Sequence, residues 1–183
     1  MPFRFRRPTL EDAPLLLDWR TRPDITRYMY TDMTQDLDRQ RDWLKACETR
    51  NDFKHFIIEA EGEPAGYLNY AEIDRTHRRC SSGSYLTDSS RVRRLAGFLY
   101  PFILDYCFFG MTMHKLVNTF LEGNDKVIRL QRLLRFREVG VFRQHIHKYG
   151  RWHDVTVFEM LCEEWEARPR LFPVEHTLAA FEE

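Results

Sequence analysis

The chain has 183 residues and a mass of 22.2 kDa, which fits one domain or two small ones at most. Its 28 lysines and arginines balance 28 aspartates and glutamates, so a surface built as a whole for nucleic acid or an anionic membrane is excluded. Hydrophobic residues make up 43% of the chain and aromatic residues 14%, which excludes disorder over the whole length and predicts an ordinary packed core.

In chain order, the first half of the sequence predicts a strand, three helical segments and an antiparallel run of strands. Residues 3–7 alternate apolar and basic side chains, as a half-buried strand does. Thr9 is a candidate N-cap for a helix that ends at Arg20, Pro23 begins a short helical piece, and residues 35–50 form a longer helix. The strands that follow are predicted at residues 55–60, 65–73 and 80–87.

The second half of the sequence alternates helices and strands. Helices are predicted at residues 92–109 and 126–136, and strands at residues 115–121, 139–148 and 152–161. Pro101 predicts a kink in the first of these helices, or a helix that starts late, because its ring crowds the carbonyl of Gly97. The order predicts an α/β (α+β) fold, with a mixed, mostly antiparallel central sheet and helices on both faces. We expect one domain over residues 1–183, in which residues 163–183 are a tail with a short helix at 175–181.

The spacing of the cysteines and the position of the apolar segments indicate the cellular compartment of the protein. The four cysteines form no Cys-x-x-Cys pair, so neither a zinc site nor a redox motif is indicated; they are Cys47, Cys80, Cys107 and Cys162. The N-terminus lacks the apolar run of a signal peptide, and reduced thiols predict a cytoplasmic protein. Residues 95–113 are almost entirely apolar, but Asp105 and Pro101 within them favour a buried helix over a membrane span.

Three stretches of the sequence carry a resemblance to a known family. The first is the segment that begins with Asn124-Asp125-Lys126 and ends with Arg135-Phe136. The second is the predicted hairpin, with Glu138, Gly140, Phe142, His145, Gly150 and His153. The third lies near the N-terminus and consists of Leu17-Asp18-Trp19-Arg20, Pro23-Asp24-Ile25 and Tyr28-Met29. Over roughly residues 3 to 165, the chain resembles the GNAT acyl-CoA N-acyltransferase superfamily. It is most similar to the acetyltransferases of nucleotide amino sugars, such as those of the pseudaminic acid pathway, and of ribosomal-protein N-termini.

The resemblance implies the GNAT fold and acetyl-CoA as the acyl donor, with no metal. The segment that corresponds to the family's phosphate-binding loop is Arg91, Val92, Arg93, Arg94, Leu95, Ala96 and Gly97. A helix N-terminus there would offer free N–H groups to the pyrophosphate, although Arg94 stands where the family has glycine. Tyr85 and Leu86 correspond to the strand that pairs with the pantetheine arm, and Asn124 to a cofactor contact. From the residues alone, a solvated basic helix start and a plain N-cap at Asn124 remain alternatives.

The predicted chemistry is direct transfer of the acetyl group to a neutral amine. Gln131 occupies the position at which many members of the family have a tyrosine that protonates the departing thiolate, and an amide cannot give up a proton. Possible substitutes are Tyr85, Tyr106 and Cys107. Candidates for the base are Glu72 and the hairpin histidines His145, His147 and His153, since an unperturbed imidazole has a pKa near neutrality. These histidines could also form a metal site, but we favour exposed or hydrogen-bonded side chains. The catalytic candidates are Tyr85, Gln131 and His145.

In the family, the first helices line the site of the acceptor substrate. The resemblance therefore implies which residues of this chain contact the acceptor. They are Arg20, Met29, Tyr30, Glu72 and His153, with Arg20 able to meet a phosphate. Packing of an amphipathic helix is the alternative, above all for Trp19 and Met29. The predicted function is N-acetylation of a nucleotide-linked amino sugar or similar small amine. Alternatives are a protein N-terminal acetyltransferase and a CoA-binding or regulatory module without catalysis. A homodimer is a further expectation, whereas neither nucleic acid nor a membrane is an expected partner.

Overall fold

A single mixed sheet runs through the molecule. The computed structural model of the chain describes residues 2–87 and 95–182. The strands are β1 (Phe3–Arg6), β2 (Lys54–Ala60), β3 (Glu63–Asp74), β4 (Arg79–Leu86), β5 (Lys115–Leu121), β6 (Arg137–Lys148), β7 (Arg151–Leu161) and β8 (Phe181–Glu182). Their order is β6-β7-β5-β4-β3-β2-β1-β8. Among the described strands, only the β4–β5 and β1–β8 pairs are parallel, so the predicted mixed, mostly antiparallel sheet is confirmed.

Helices cover both faces of this sheet, as predicted. They are α1 (Ala13–Thr21), α2 (Pro23–Thr26), α3 (Leu37–Glu48), α4 (Leu99–Asp105), α5 (Asp125–Leu133), α6 (Cys162–Glu166) and α7 (Val174–Leu178). In β2, Phe56 packs into the main core with α4, while its neighbour Ile57 packs against α1 and α3. Successive side chains of a strand point to opposite faces, so a strand buried on both faces separates two cores.

The helix predicted at residues 92–109 has a different form. Residues 92–94 lie outside the described residues, Leu95 has a helical backbone, Ala96–Phe98 form a 3₁₀ turn, and α4 covers Leu99–Asp105. Pro101 then falls in the first turn of α4, where a missing N–H breaks no helical hydrogen bond. Within the described residues this 3₁₀ turn interrupts the helical segment just before Pro101, whereas the predicted start at residue 92 lies outside them. After Asp105 the helix widens into a π-turn over Tyr106–Gly110.

The C-terminal tail is fastened to α4 by a buried carboxylate. Asp105 is 1% exposed. It accepts hydrogen bonds from Trp165 Nε1 at 2.6 Å, Arg170 Nη1 at 2.6 Å and Thr177 Oγ1 at 2.7 Å. The predicted tail helix is present as α7, but it is followed by β8, which extends the sheet beside β1. Such a network satisfies a buried charge and orders the tail.

The apolar segment at residues 95–113 belongs to the main core. Phe102, Ile103 and Leu104 are at most 1% exposed. No helix in the described ranges combines the length and the apolar character that crossing a membrane requires.

Helix α5 ends in a turn that usually requires glycine. The N–H of Phe136 donates to Gln131 O at 3.0 Å and the N–H of Arg135 to Arg132 O at 2.9 Å, which is a Schellman pair of hydrogen bonds. Arg135 has a φ of 52°, in the left-handed region that disfavours a residue with a Cβ. Arg135 therefore occupies the position at which a Schellman turn usually has glycine, and its backbone adopts the left-handed conformation that glycine would adopt there.

We expect Arg135→Gly to stabilise the protein, because glycine adopts this φ without strain. The free energy of unfolding should rise by about 1 kcal/mol and the melting temperature by about 2–4 °C in thermal denaturation followed by circular dichroism. Leu133→Gly is the matched control. Leu133 is 74% exposed on the last turn of α5, and glycine there should lower the melting temperature. A fall with Arg135→Gly as well would contradict strain at this position.

Candidate active site

Two neighbouring strands of the sheet separate after a short pairing. β4 pairs with β5 only at Arg79↔Lys115 and Cys80↔Leu116. β4 nevertheless continues to pair with β3 as far as Leu86, and β5 pairs with β7 as far as Leu121. The strands thus diverge like the arms of a V, which leaves the facing backbone groups of residues 83–86 without a ladder partner within the described chain.

A buried asparagine closes the vertex of this gap. Asn118 of β5 is 3% exposed, and its Oδ1 accepts hydrogen bonds from Ser82 N at 2.9 Å and from Ser82 Oγ at 3.2 Å. The side chain takes the place of a backbone acceptor at the point where the ladder ends. Beyond it the gap stays open, so Asn118 fixes where the divergence begins.

A cavity of about 970 Å³ occupies the gap and reaches both faces of the sheet. On one face lies a front chamber, lined by α1, α3 and the segment at residues 24–36. On the other lies a rear chamber, lined by α4 and α5. Between them, residues 82–86 of β4 and 118–120 of β5 form the walls of the passage. The cavity has the size of a small-molecule site.

Three buried polar atoms of residues that line the front chamber have no hydrogen-bond partner within the described chain, namely Arg20 Nη1, Gln40 Oε1 and the Tyr85 hydroxyl. Arg20 Nη2 lies 3.4 Å from the carbonyl and the hydroxyl oxygens of Thr31, but its buried Nη1 has no hydrogen-bond partner among the described residues. The same holds for the hydroxyl of Tyr85. Burial lowers the pKa of Arg20 and raises that of Tyr85. Buried polar atoms are rarely left unpaired in proteins, so these atoms indicate that the front chamber receives a polar ligand.

Aromatic rings form the rest of the wall around Tyr85. Its ring stacks on Tyr67 with centroids 5.6 Å apart and meets Trp19 edge-on at 6.2 Å. Tyr67 in turn hydrogen bonds to His55 Nδ1 at 3.1 Å, and burial lowers the pKa of His55 to about 4, so this imidazole is neutral at pH 7. The sequence analysis missed Tyr67, although strand alternation in β3 places it on the face that carries α1.

A buried lysine holds the front wall in place. Lys148, at the end of β6, is 5% exposed, and its Nζ donates to Thr26 O at 2.7 Å and to Met29 O at 2.8 Å. It also forms an ion pair with Asp32 at 2.8 Å, and this hydrogen bond lowers the pKa of the Asp32 carboxyl. The segment that carries the predicted acceptor contact Met29 is therefore tied to a hairpin more than a hundred residues later in the chain.

The rear chamber contains a pair of polar side chains on two helices. Gln131 of α5 is fully buried, and its Nε2 donates to the Tyr100 hydroxyl at 2.8 Å. Asn124 precedes α5 and lines the cavity, and its side chain makes no capping hydrogen bond, so the plain N-cap alternative is not observed. The sequence analysis singled out Gln131 and Asn124 but missed Tyr100.

The predicted phosphate-binding segment is only partly described. Arg91, Val92, Arg93 and Arg94 lie outside the described residues. Of the rest, Ala96 lines the main cavity, and Leu95 packs half-buried against the main core. Gly97 faces a separate cavity of about 370 Å³ beside Pro101 and the tail.

Several predicted residues have other surroundings. Tyr30 and Glu72 are both exposed, and burial of its ring raises the pKa of Tyr30. His145 is exposed on β6, 5.0 Å from the ring of Phe142. None of these lines the described part of the cavity wall, in contrast to Arg20, Met29, Tyr85, Leu86 and Asn124.

His153 is a buried structural residue of the hairpin. It is 5% exposed, and its ring nitrogens lie 3.0 Å from Glu122 Oε1 and 2.9 Å from Lys148 O. It contacts the turn that carries Lys148 and does not line the described cavity wall. Over the ranges 2–87 and 95–182, no group of three or more metal-ligating side chains is found.

Two proposed substitutes for the missing tyrosine are also remote from the cavity. Tyr106 is 3% exposed and Cys107 is fully buried, both in the main core. The Cys107 sulfur lies 3.5 Å from that of Cys80.

Comparison with known proteins identifies the family. A family model described as an acetyltransferase (GNAT) domain matches residues 3–137. The uncharacterized N-acetyltransferase p20 of Bacillus licheniformis is 24% identical over 165 residues, which cover 87% of this chain and 93% of that protein. Spermidine N(1)-acetyltransferase of Escherichia coli K12 is 26% identical over 101 residues, 55% of this chain and 54% of that protein.

The fold matches solved structures of the same family. A spermidine N-acetyltransferase from Vibrio cholerae, solved in complex with CoA and spermine, superposes with a TM-score of 0.84 at 19% identity, covering 90% of this chain and 98% of that one. The acceptor named for these relatives is a polyamine, not the amino sugar that the sequence analysis favoured. The sheet order and the divergence of β4 from β5 are consistent with the matched domain. This chain belongs to the GNAT acetyltransferase family and is an N-acetyltransferase.

Proposed function

We propose that the chain transfers an acetyl group from acetyl-CoA to the amine of a small acceptor that also carries an anionic group, such as a nucleotide-linked amino sugar. The observation that carries this proposal is the buried Nη1 of Arg20, which faces the front chamber without a partner in the described chain. A guanidinium in that situation favours a phosphate or carboxylate oxygen of the ligand.

The gap between β4 and β5 supports acetyl-CoA as the donor. An arm of alternating amides and methylenes can hydrogen bond to the free edge of β4 at residues 83–86, as a further strand would. The side chain of Asn124, which makes no capping hydrogen bond, offers a further polar contact in the rear chamber. Acetyl-CoA would supply the activated acyl group, and the chain would align its thioester with an amine from the front chamber.

The charges of the front wall favour an anionic acceptor over a polyamine. Asp24 is paired with Arg22 at 2.9 Å, Asp32 with Lys148 at 2.8 Å, and Asp36 accepts from the N–H of Arg39 at 3.0 Å. These carboxylates are already engaged by the chain, whereas a polycation needs carboxylates that are free to bind it. Its ammonium groups would also lie near the Arg20 guanidinium, and like charges repel.

A polyamine is the second candidate acceptor, because relatives with that activity match more than half of the chain. The two candidates differ in the sign of their charge. Arg20 should assist an anionic acceptor and oppose a polyamine, so a substitution at this position separates them.

The predictions of a cytoplasmic location and of a homodimer stay predictions. All four cysteines carry free thiols, which supports a reducing compartment. Sedimentation of the purified chain would test the dimer.

We expect Arg20→Gln to raise the KM for an anionic amino sugar by about 10- to 100-fold, because one charged hydrogen bond is lost. The affinity for acetyl-CoA should stay within about twofold. The measurement is a thiol-release assay with a nucleotide-linked amino sugar, spermidine and a short peptide. Arg41→Gln, at an exposed site on α3, is the control. Release with spermidine alone, undiminished by Arg20→Gln, would reject the anionic acceptor.

We expect Lys148→Met to loosen the front wall, because the carbonyls of Thr26 and Met29 lose their donor. The kcat/KM for the acceptor should fall about tenfold with little change in the affinity for CoA. Calorimetry with CoA and steady-state kinetics measure the two quantities. Lys45→Met, at an exposed lysine of α3, is the matched control. A parallel loss of CoA affinity would show a global defect and contradict a local role.

A further inference from the structure

We propose that the hydroxyl of Tyr100 donates the proton to the departing CoA thiolate and that Gln131 positions it. The inference rests on the proposed use of acetyl-CoA but not on the identity of the acceptor. Tyr100 would be a catalytic residue, whereas Gln131 acts through Tyr100.

The neighbours of Tyr100 in the packed structure show where its side chain lies relative to the gap between β4 and β5. Tyr100 of α4, Leu86 of β4 and Phe120 of β5 all pack on the main core, and all three line the cavity. Leu86 and Phe120 lie on the two strands that diverge, near the ends of their arms. The phenol therefore lies where the gap between the strands opens into the rear chamber.

The hydrogen bond from Gln131 determines what the hydroxyl can do. Because Gln131 Nε2 donates to the phenolic oxygen, the proton of that hydroxyl is left for another acceptor. No acceptor for it is found in the described parts of the chain. Gln131 is fully buried, and its backbone carbonyl is bonded to Phe136 N in the Schellman turn, so the amide has little freedom to move.

The protonation state of Tyr100 suits an acid. Burial raises the pKa of Tyr100 to about 12, and the hydrogen bond from Gln131 opposes that rise because it stabilises the phenolate. The phenol is therefore protonated at neutral pH, and the phenolate that forms in the reaction keeps one hydrogen-bond donor. Leaving thiolates are strong enough bases to benefit from such a donor as the charge develops on sulfur.

The step balances without a further reactant. The amine nitrogen attacks the thioester carbon, the C–N bond forms, and the C–S bond breaks with its electron pair leaving on sulfur. The Tyr100 hydroxyl gives its proton to that sulfur, which yields the CoA thiol. The amine loses one proton as it becomes an amide, and that proton returns to the Tyr100 phenolate through solvent.

Other phenols and thiols are less well placed. Tyr85 is held between Tyr67 and Trp19 in the front chamber, and Tyr106 and Cys107 lie inside the core. Among the described residues that line the rear chamber, Tyr100 has the phenol.

The test compares CoA with desulfo-CoA, which lacks the sulfur atom, as ligands of the full chain. For Tyr100→Phe, we expect the calorimetric Kd of CoA to rise about three- to tenfold and that of desulfo-CoA to stay within about twofold, since only CoA presents a sulfur to the hydroxyl. With any acceptor that supports turnover, kcat should fall about 100-fold, while the KM for acetyl-CoA changes far less. Gln131→Leu, which keeps the phenol but removes its positioning partner, should lower kcat about tenfold. Tyr149→Phe, at an exposed tyrosine of the β6–β7 turn, is the control for loss of a hydroxyl.

The outcomes separate this inference from the proposed acceptor. Equal loss of affinity for CoA and desulfo-CoA, or a kcat within about twofold of the unaltered chain, overturns the role of Tyr100. Failure of the unaltered chain to bind CoA overturns it as well. A sulfur-dependent loss of affinity in a chain that acetylates only spermidine supports the role of Tyr100 and rejects the anionic acceptor.

Discussion

The divergence of β4 from β5 is the constraint on which the rest of the structure depends. Each of these strands keeps its other neighbour, so the separation costs only the hydrogen bonds that would have joined them. Asn118 limits that cost by capping the last paired position with its side chain. The sheet can then be buried on both faces and still contain a passage, through which the proposed donor on one face would meet the proposed acceptor on the other.

The balanced charge of the chain is distributed unevenly. Many carboxylates pair with arginine or lysine, as Asp12 and Glu59 do with Arg6 and as Glu159 does with Arg137. Asp24 and Asp32 of the front wall form ion pairs in the same way, and Asp36 accepts a hydrogen bond from the backbone N–H of Arg39. Arg20 differs, because one of its nitrogens is buried without a partner in the described chain. A net charge of zero over the chain is therefore compatible with a local site for an anion.

Much of the fold could be predicted from the sequence, because periodicity reports which face of an element is buried. The strand predicted at residues 115–121 has the observed bounds, and a 3₁₀ turn interrupts the predicted helix just before Pro101. The strand β8 could not be predicted, since two residues show no alternation and pair only through the tertiary fold. The left-handed conformation of Arg135 could not be predicted from its residue type, because an arginine rarely adopts a positive φ.

Less of the site could be predicted from the sequence, because its hydrogen-bonded pairs join residues that lie far apart in the chain. Tyr100 and Gln131 are 31 positions apart and meet only when α4 and α5 pack together. Lys148 looks like an exposed lysine beside a glycine turn, yet it is buried against a segment 119 positions earlier. His153 has the chemistry of a catalytic base, but its partners make it part of that same hairpin. Residue type indicated the chemistry, whereas only the packing separates a ligand-facing group from a structural one.

Amide hydrogen exchange with and without CoA tests the central claim most directly. If the gap between β4 and β5 receives the donor, saturating CoA should slow exchange about tenfold or more at residues 83–87 and 118–121. Exchange in β6, which lies at the far edge of the sheet, should not change. Protection that spares both arms of the gap while CoA is bound would contradict this account.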